Sequence, residues 1–172
     1  MNRTRLIEAG DAETLATVLV RNRAFLEPWE PVRPDQYFTV AGQAEVIAES
    51  LRRHAEGTTL PHVILDDAGA VVGRISLNNI VRGPFQSASV GYWLAQEAGG
   101  RGLATGAVAE LVRIAFTEEG LHRVEAGTIP ENFRSQMVLR RNGFTQFGYA
   151  PRYLNIAGSW TDHLLFSKLA DE

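Results

Sequence analysis

The sequence predicts one mixed α/β domain of the α+β kind, spanning residues 1–172, on a central twisted and mostly antiparallel sheet. Three observations carry that expectation. Residues 62–94 read as three strands joined by short turns, which makes an antiparallel meander. Residues 95–169 then alternate loop, helix, strand, helix, strand, strand. No linker, repeat or low-complexity tract divides the 172 residues, and a domain of that size buries about 70% of its unfolded surface.

Arg5-Leu6-Ile7 is a short apolar run and the expected first strand. Asp11 is placed as the N-cap of a helix, with Glu13 where the helix dipole favours negative charge and Leu15, Val18, Leu19 and Asn22 at helical spacing. The helix should stop before Glu27-Pro28, because Pro28, Pro31 and Pro34 remove backbone donors and fix φ. That segment is expected as a loop. A second amphipathic helix fits residues 40–54, with Ala44, Ile47, Ala48 and Leu51 on one face. Strands follow at 62–65, 70–77 and 87–94, with Asp66-Asp67-Ala68-Gly69 as a turn. A helix opens after Gly102 with Ala104, Ala107, Val108, Leu111, Val112 and Ala115 on its apolar face. Residues 122–128 read as a strand and 132–142 as a helix closed by Gly143, a good left-handed stop. Strands at 144–150 and 160–169 complete the chain, joined by a loop that contains Ala157-Gly158.

Composition excludes several functions. The net charge of −3 lacks the basic excess that phosphate neutralisation on a nucleic acid requires. With no Cys there is no disulfide scaffold, thiolate metal site or Cys nucleophile. The four His are dispersed and His-Glu-x-x-His does not occur, so no metal is expected. The first eight residues carry no apolar run of the signal-peptide kind, and no stretch approaches the ~20 apolar residues of a membrane span. A cytoplasmic protein is the default expectation.

The chemistry begins at Gly99-Gly100-Arg101-Gly102-Leu103-Ala104-Thr105, between a strand and a helix. A helix start offers free N–H groups and partial positive charge, and glycines let an anion come close. The segment is either a diphosphate cradle with Arg101 as an added donor, or only a tight turn. A P-loop is excluded, since no Gly-Lys-Ser/Thr follows. A dinucleotide fingerprint fits poorly: Gly100-x-Gly102-x-x-Thr105 lacks the last small residue, and five residues separate Leu94 from Gly100. The second segment is Asn132-Phe133-Arg134-Ser135, running on to Val138 and Gly143-Phe144. By itself Asn132 is an N-cap whose amide can also donate to a ligand.

Together these segments resemble the GNAT acyl-CoA N-acyltransferase superfamily. The strand, Arg-x-Gly-x-Ala loop and helix match its motif A, and Asn-x-x-Ser-x-x-Val-x-x-x-x-Gly-Phe is similar to motif B of its RimJ/RimL branch. Asn22 to Arg33, Asn79 to Phe85, and Gly148 to Leu165 resemble the ribosomal-protein alanine N-acetyltransferases of that branch, so the likeness covers nearly the whole chain. Gly99 stands where the superfamily often has Gln or Arg, and Phe147-Gly148 stands where many relatives have an acid before Gly.

The resemblance implies a sheet with one splayed strand pair, helices on both faces, and acetyl-CoA as cosubstrate. It implies a diphosphate on Gly99, Gly100, Arg101, Gly102, Leu103, Ala104 and Thr105, and pantetheine amides on the backbone of Tyr92, Trp93 and Leu94. Asn132 and Arg140 would also touch the cofactor, with Arg134, Arg140 and Arg141 each either on phosphate or facing solvent. The acceptor would be an amine, foremost the N-terminal α-amine of a protein such as a ribosomal protein. Alternatives are a small-molecule amine such as an aminosugar or polyamine, or acyl-CoA binding without catalysis. The chain would be a monomer or homodimer. At pH 7.5 about a third of free α-amines are neutral, against roughly 0.1% of lysines, so an α-amine asks less of a base. Ser135 resembles the proton donor to the leaving thiolate, and Tyr92 and Glu125 are the other expected catalytic residues. For the base, Glu125, Glu30 and His163 all stay open; Asp162 and His163 are adjacent on a strand, so only one can face the cleft. Phe25, Trp29, Glu30, Tyr37, Tyr153 and His163 are the expected acceptor side.

Overall fold

A computed structural model of the chain describes residues 2–170. The strands are β1 (Thr4–Leu6), β2 (Leu60–Leu65), β3 (Val71–Val81), β4 (Ser87–Leu94), β5 (Arg123–Thr128), β6 (Thr145–Ile156) and β7 (Ser159–Leu169). The helices are α1 (Ala12–Leu26) and α2 (Val40–Ala55) before β2, α3 (Leu103–Thr117) before β5, and α4 (Phe133–Arg141) before β6. One sheet runs in the order β1-β2-β3-β4-β5-β7-β6. Every pairing is antiparallel except β4 with β5, which is parallel. A parallel pair needs a long crossover, and α3 provides it.

Helices cover both faces. On one, Ile75, Leu77, Val90, Val124, Ala126 and Phe166 of the sheet bury against Ala107, Val108, Leu111 and Ala115 of α3 and Leu139 of α4. On the other, Val63 packs with Ile7, with Ala12 and Leu15 of α1 and with Ile47 of α2, and Trp93 leans on this group. Each such fully buried aliphatic side chain contributes roughly 1.5–3 kcal/mol. Alternation along β4 therefore sends Tyr92 and Leu94 toward α3 and α4, and Trp93 toward α1 and α2.

Four local expectations need correction. Asp11 does not cap α1 with its side chain; its backbone is already helical. Its carboxylate instead accepts both Nη atoms of Arg5 (2.9 and 2.7 Å) and the Glu8 N–H (2.8 Å). Burial pushes that carboxyl up, and Arg5 with the Glu8 N–H more than offsets it, so the group ends below the usual carboxylate range. The proline segment is not plain loop: Glu27–Trp29 and Asp35–Phe38 are short 3-10 turns, because Pro fits the first turn of a helix. On α3 it is Leu103, rather than the half-buried Ala104, that is fully packed. Finally, β6 runs on to Ile156 where a loop from 151 was expected. It is the edge strand, its pairing slips between Ala150 and Leu154, and Arg152 takes a left-handed φ of 49°. An edge tolerates Pro151 and a bulge, neither of which an alternating pattern reveals.

Candidate functional site

β4 and β5 pair only at Ser87, Ala88 and Ser89 with Arg123, Val124 and Glu125. Beyond that point no ladder joins them, so Val90–Leu94 and Ala126–Thr128 form the two prongs of a fork. Peptide groups on facing strands normally pair. A fork leaves the inner edge of each prong open to an extended ligand carrying amides.

The Gly-rich loop sits at the tip of the β4 prong. Gly100 and Gly102 adopt φ of 76° and 75°, and a Cβ at either would meet nothing within 4 Å. Their conformation asks for glycine, and the space above them is open. The Gly106 N–H makes the first bond of α3, to Gly102 O (2.9 Å). The N–H groups of Leu103, Ala104 and Thr105 precede the ladder and have no helical partner. Those N–H groups and the helix dipole suit a diphosphate. Gly99 closes the preceding turn through its N–H to Gln96 O (3.0 Å). Arg101 does not project freely: its Nη2 lies 2.8 Å from Asp67 Oδ2, and the other oxygen of Asp67 takes Arg3 (2.6 Å).

Between the prongs, on the α3–α4 face, the Tyr92 hydroxyl lies 2.9 Å from Ser135 Oγ. Burial pushes the Tyr92 pKa up to about 12, against the smaller opposite pull of the Ser135 hydrogen bond. Tyr92 is therefore a proton-bearing phenol at neutral pH. Ser135 is in the first turn of α4, and its N–H donates to Asn132 Oδ1 (3.1 Å). Asn132 is thus a true N-cap, and its Nδ2 donors are left for another partner. Arg140 lies about 12 Å further along α4, exposed, with its guanidinium 6.0 Å from the centre of the Phe166 ring.

On the α1–α2 face, Glu125 stands at the last paired position, at the root of the fork. Its Oε1 is 2.6 Å from Arg123 Nε. Gly127, one step along the same face, adds no side chain; a Cβ there would meet the His163 ring at 3.5 Å and Tyr153 at 3.9 Å. The Tyr153 and His163 rings stack at 5.6 Å, tilted by 57°. His163 is buried, with its Nδ1 donating to Thr161 O (3.1 Å), whereas Asp162 takes the Tyr149 hydroxyl and the Arg152 N–H. A roof crosses this face. The Ala157 N–H of the β6–β7 turn donates to Glu30 O (2.9 Å), and Val32 lies 3.7 Å from where a Gly158 Cβ would be. Trp29 is partly exposed in that roof. Phe25 stands apart from it, under the Arg134 guanidinium (5.7 Å), where the end of α1 meets the start of α4.

Two buried asparagines hold the cradle, and neither was expected to. Asn22 Oδ1 accepts the Gln96 N–H (2.8 Å), tying α1 to the approach to the Gly-rich loop. Asn142 Nδ2 donates to Thr105 O (3.2 Å) and Val138 O (2.9 Å), tying the end of α4 to the first turn of α3. A helix-interior Asn at an apolar position is the only signal of Asn22; Asn142 reads as an ordinary helix end. Among the described residues no cluster of His, Cys, Asp or Glu is placed to hold a metal, and no helix is long and apolar enough to cross a membrane.

Comparisons with known proteins point to one family. Residues 3–145 match the model of the acetyltransferase (GNAT) domain. The chain is 38% identical over 168 residues to "Probable N-acetyltransferase YjcK" of Bacillus subtilis, covering 96% of this chain and 92% of that one. It is 35% identical over 162 residues to the ribosomal protein uS5-alanine N-acetyltransferase of Escherichia coli, covering 94% and 84%. Among solved structures, Mycobacterium smegmatis RimJ in complex with CoA-disulfide superposes with a TM-score of 0.94 at 34% identity, covering 98% of this chain and 81% of that one.

Proposed function

This chain belongs to the GNAT acetyltransferase family and is an acetyl-CoA-dependent N-acetyltransferase, and from that premise we propose that its acceptor is the N-terminal α-amine of a protein. The observation that carries the proposal is the forked sheet closed on its α1–α2 face by a roof. The slot between the prongs leads to Tyr92 and Ser135 on one side and to Glu30, Trp29 and Tyr153 on the other. A relative 35% identical over most of both chains is named for acetylating the alanine of ribosomal protein uS5, which supports a ribosomal protein as the acceptor.

Acetyl-CoA brings a thioester whose carbonyl carbon is open to attack by a neutral amine. The chain's residues bind, orient and stabilise. The N–H groups of Gly100 to Thr105 hold the diphosphate. The backbone of Tyr92, Trp93 and Leu94 receives the pantetheine amides as a partial added strand, with the free amide of Asn132 beside it. As the new C–N bond forms and the C–S bond breaks, the Ser135 hydroxyl donates a hydrogen bond to the sulfur. The Tyr92 hydroxyl in turn supports Ser135. The proton released by the nitrogen ends on the thiolate or on water. Glu125 is held in an ion pair by Arg123 (2.6 Å) and does not point freely into the slot. It acts through water if at all, and the α-amine's own low pKa makes up the difference.

The test is acetyl transfer to peptides that begin with Ala or Ser, scored by mass against the same peptides with a blocked N-terminus and one free lysine. Acetylation of the free N-terminus only is expected. Transfer to lysine, aminosugars or polyamines with the N-terminus untouched would overturn the acceptor assignment and leave the family membership intact.

A further inference from the structure

Beneath the roof, Glu30, Arg33, Tyr37 and Arg74 converge from three elements. Arg74 stands opposite Trp93 on β3, one strand in from the fork, which is about 5 Å. Its neighbours Gly73 and Ile75 face α3, so its side chain leaves the sheet on the α1–α2 face. There Nη2 donates to Ser50 Oγ of α2 (2.6 Å). A guanidinium has five N–H donors, and among the described residues Arg74 uses one. Arg33 stacks on the Tyr37 ring at 4.7 Å and has no hydrogen-bond or ion-pair partner among the described residues.

Burial raises the Glu30 carboxyl, and Arg33 and Arg74 pull it the other way, so both guanidiniums are within its field. Yet among the described residues no ion pair joins Glu30 to either of them. Burial likewise lowers the Arg74 pKa, with Glu30 and Tyr37 opposing. Glu30, Tyr37 and Arg74 are half-buried and Arg33 is exposed at the rim, so Arg74 is the partly buried cation with no anionic partner among the described residues. A partly buried cation without a partner is costly and is usually matched.

We propose that this compartment selects acceptors carrying a carboxylate at the residue after the reacting amine, with Arg74 as the residue that binds it and Arg33 as its support. The inference rests on the N-terminal-amine reading above. An extended chain advances about 3.5 Å per residue, so a second-position side chain reaches a group one strand from the fork. A guanidinium presents paired N–H groups that match the two oxygens of a carboxylate. The same two cations disfavour the ammonium form of the nearby amine, which raises the fraction able to attack.

The experiment compares steady-state transfer from acetyl-CoA to Ala-Asp, Ala-Asn and Ala-Lys peptides, identical beyond the second residue and amidated at the C-terminus. The expected kcat/KM is about 10-fold higher for Ala-Asp than for Ala-Asn, the size of one charge-assisted contact, and lowest for Ala-Lys. In Arg74→Met the Ala-Asp rate falls to the Ala-Asn level, Arg74→Lys restores part of the difference, and coenzyme A affinity stays at the parent value in both. Equal rates on Ala-Asp and Ala-Asn in the parent overturn the proposal while the N-terminal reading stands, and so does a preference that survives Arg74→Met. Acetylation of free aspartate with no peptide modified overturns both. If Arg74→Met does not fold, the parent's Asp-to-Asn ratio, and its reduction by about 3-fold in Arg33→Gln, decide the matter.

Discussion

The two ends of the fork are built from different materials. The end proposed to hold the diphosphate, the cradle, is backbone: N–H groups at the start of α3, held in place by Asn22, Asn142 and the Asp67 bridge to Arg101. The end proposed to take the acceptor is side chain: Glu30, Arg33, Tyr37 and Arg74 under the turns at Glu30 and Ala157. Backbone amides cannot be changed by substitution, so the cradle suits a ligand that never varies. Side chains change one at a time, which suits the half of the site that must tell one amine from another.

That contrast can be broken most sharply at Gly102. Gly102→Val places a β-branched residue at φ 75° and puts its methyls into the open space over the cradle. A loss of coenzyme A affinity of about 100-fold or more is expected by calorimetry, in protein whose circular dichroism is unchanged. Ordinary affinity would mean the loop is only a turn. Ser135→Ala separates chemistry from binding. Turnover should fall about 10- to 100-fold, the scale of one lost transition-state donor, with little change in cofactor affinity. An unchanged turnover number removes Ser135 from the reaction.

Asn142→Ala asks whether the cradle depends on its side-chain ties. It removes the side-chain donor from Thr105 O, which keeps its helical bond from the Ala109 N–H, and should cost about 1–2 kcal/mol in chemical denaturation. It should also weaken coenzyme A binding several-fold while leaving the ranking of acceptors untouched. A changed ranking would mean that the two ends are not separable.

The smallest effect is a control remote from both ends. Burial, helped by His54 and opposed by Glu118, lowers the pKa of His62 to about 4. A folded-state pKa below the unfolded value of about 6.5 makes the unfolded chain bind the proton first. The stability from keeping His62 neutral is complete above pH 6.5 and is lost as pH falls toward 4. Between pH 7 and pH 5 this amounts to about 1–2 kcal/mol. His62→Asn should flatten that part of the denaturation-against-pH curve with coenzyme A affinity unaltered.

Much of this was legible from residues alone. β4 runs over the residues expected of it, and α2 differs from its expectation by one residue at its end. Gly143 takes the left-handed φ, 78°, that a helix stop requires. These features depend on periodicity and on local backbone preference, both written within a few neighbours. β6 outruns its expected end because an exposed, bulged edge strand has no alternation to read. Asp11 reads as a cap because it stands at a helix start, whereas its partner Arg5 lies six residues away and reaches it only through the fold. Arg74 carries no sequence signal, because one arginine in a strand looks like any other solvent-facing charge.

The sequence by itself determined the antiparallel meander, the Gly-rich start of α3 and the Asn-x-x-Ser start of α4. Each is a contiguous segment whose conformation follows from its own side chains and backbone. Only the tertiary structure decided where β4 and β5 part, that Tyr92 meets Ser135 across 43 residues, and that Arg74 lies in the field of Glu30 without an ion pair between them among the described residues. Those outcomes depend on how helices and strands far apart in the chain pack their apolar faces. Packing of that kind is a property of the whole core, and no local pattern records it.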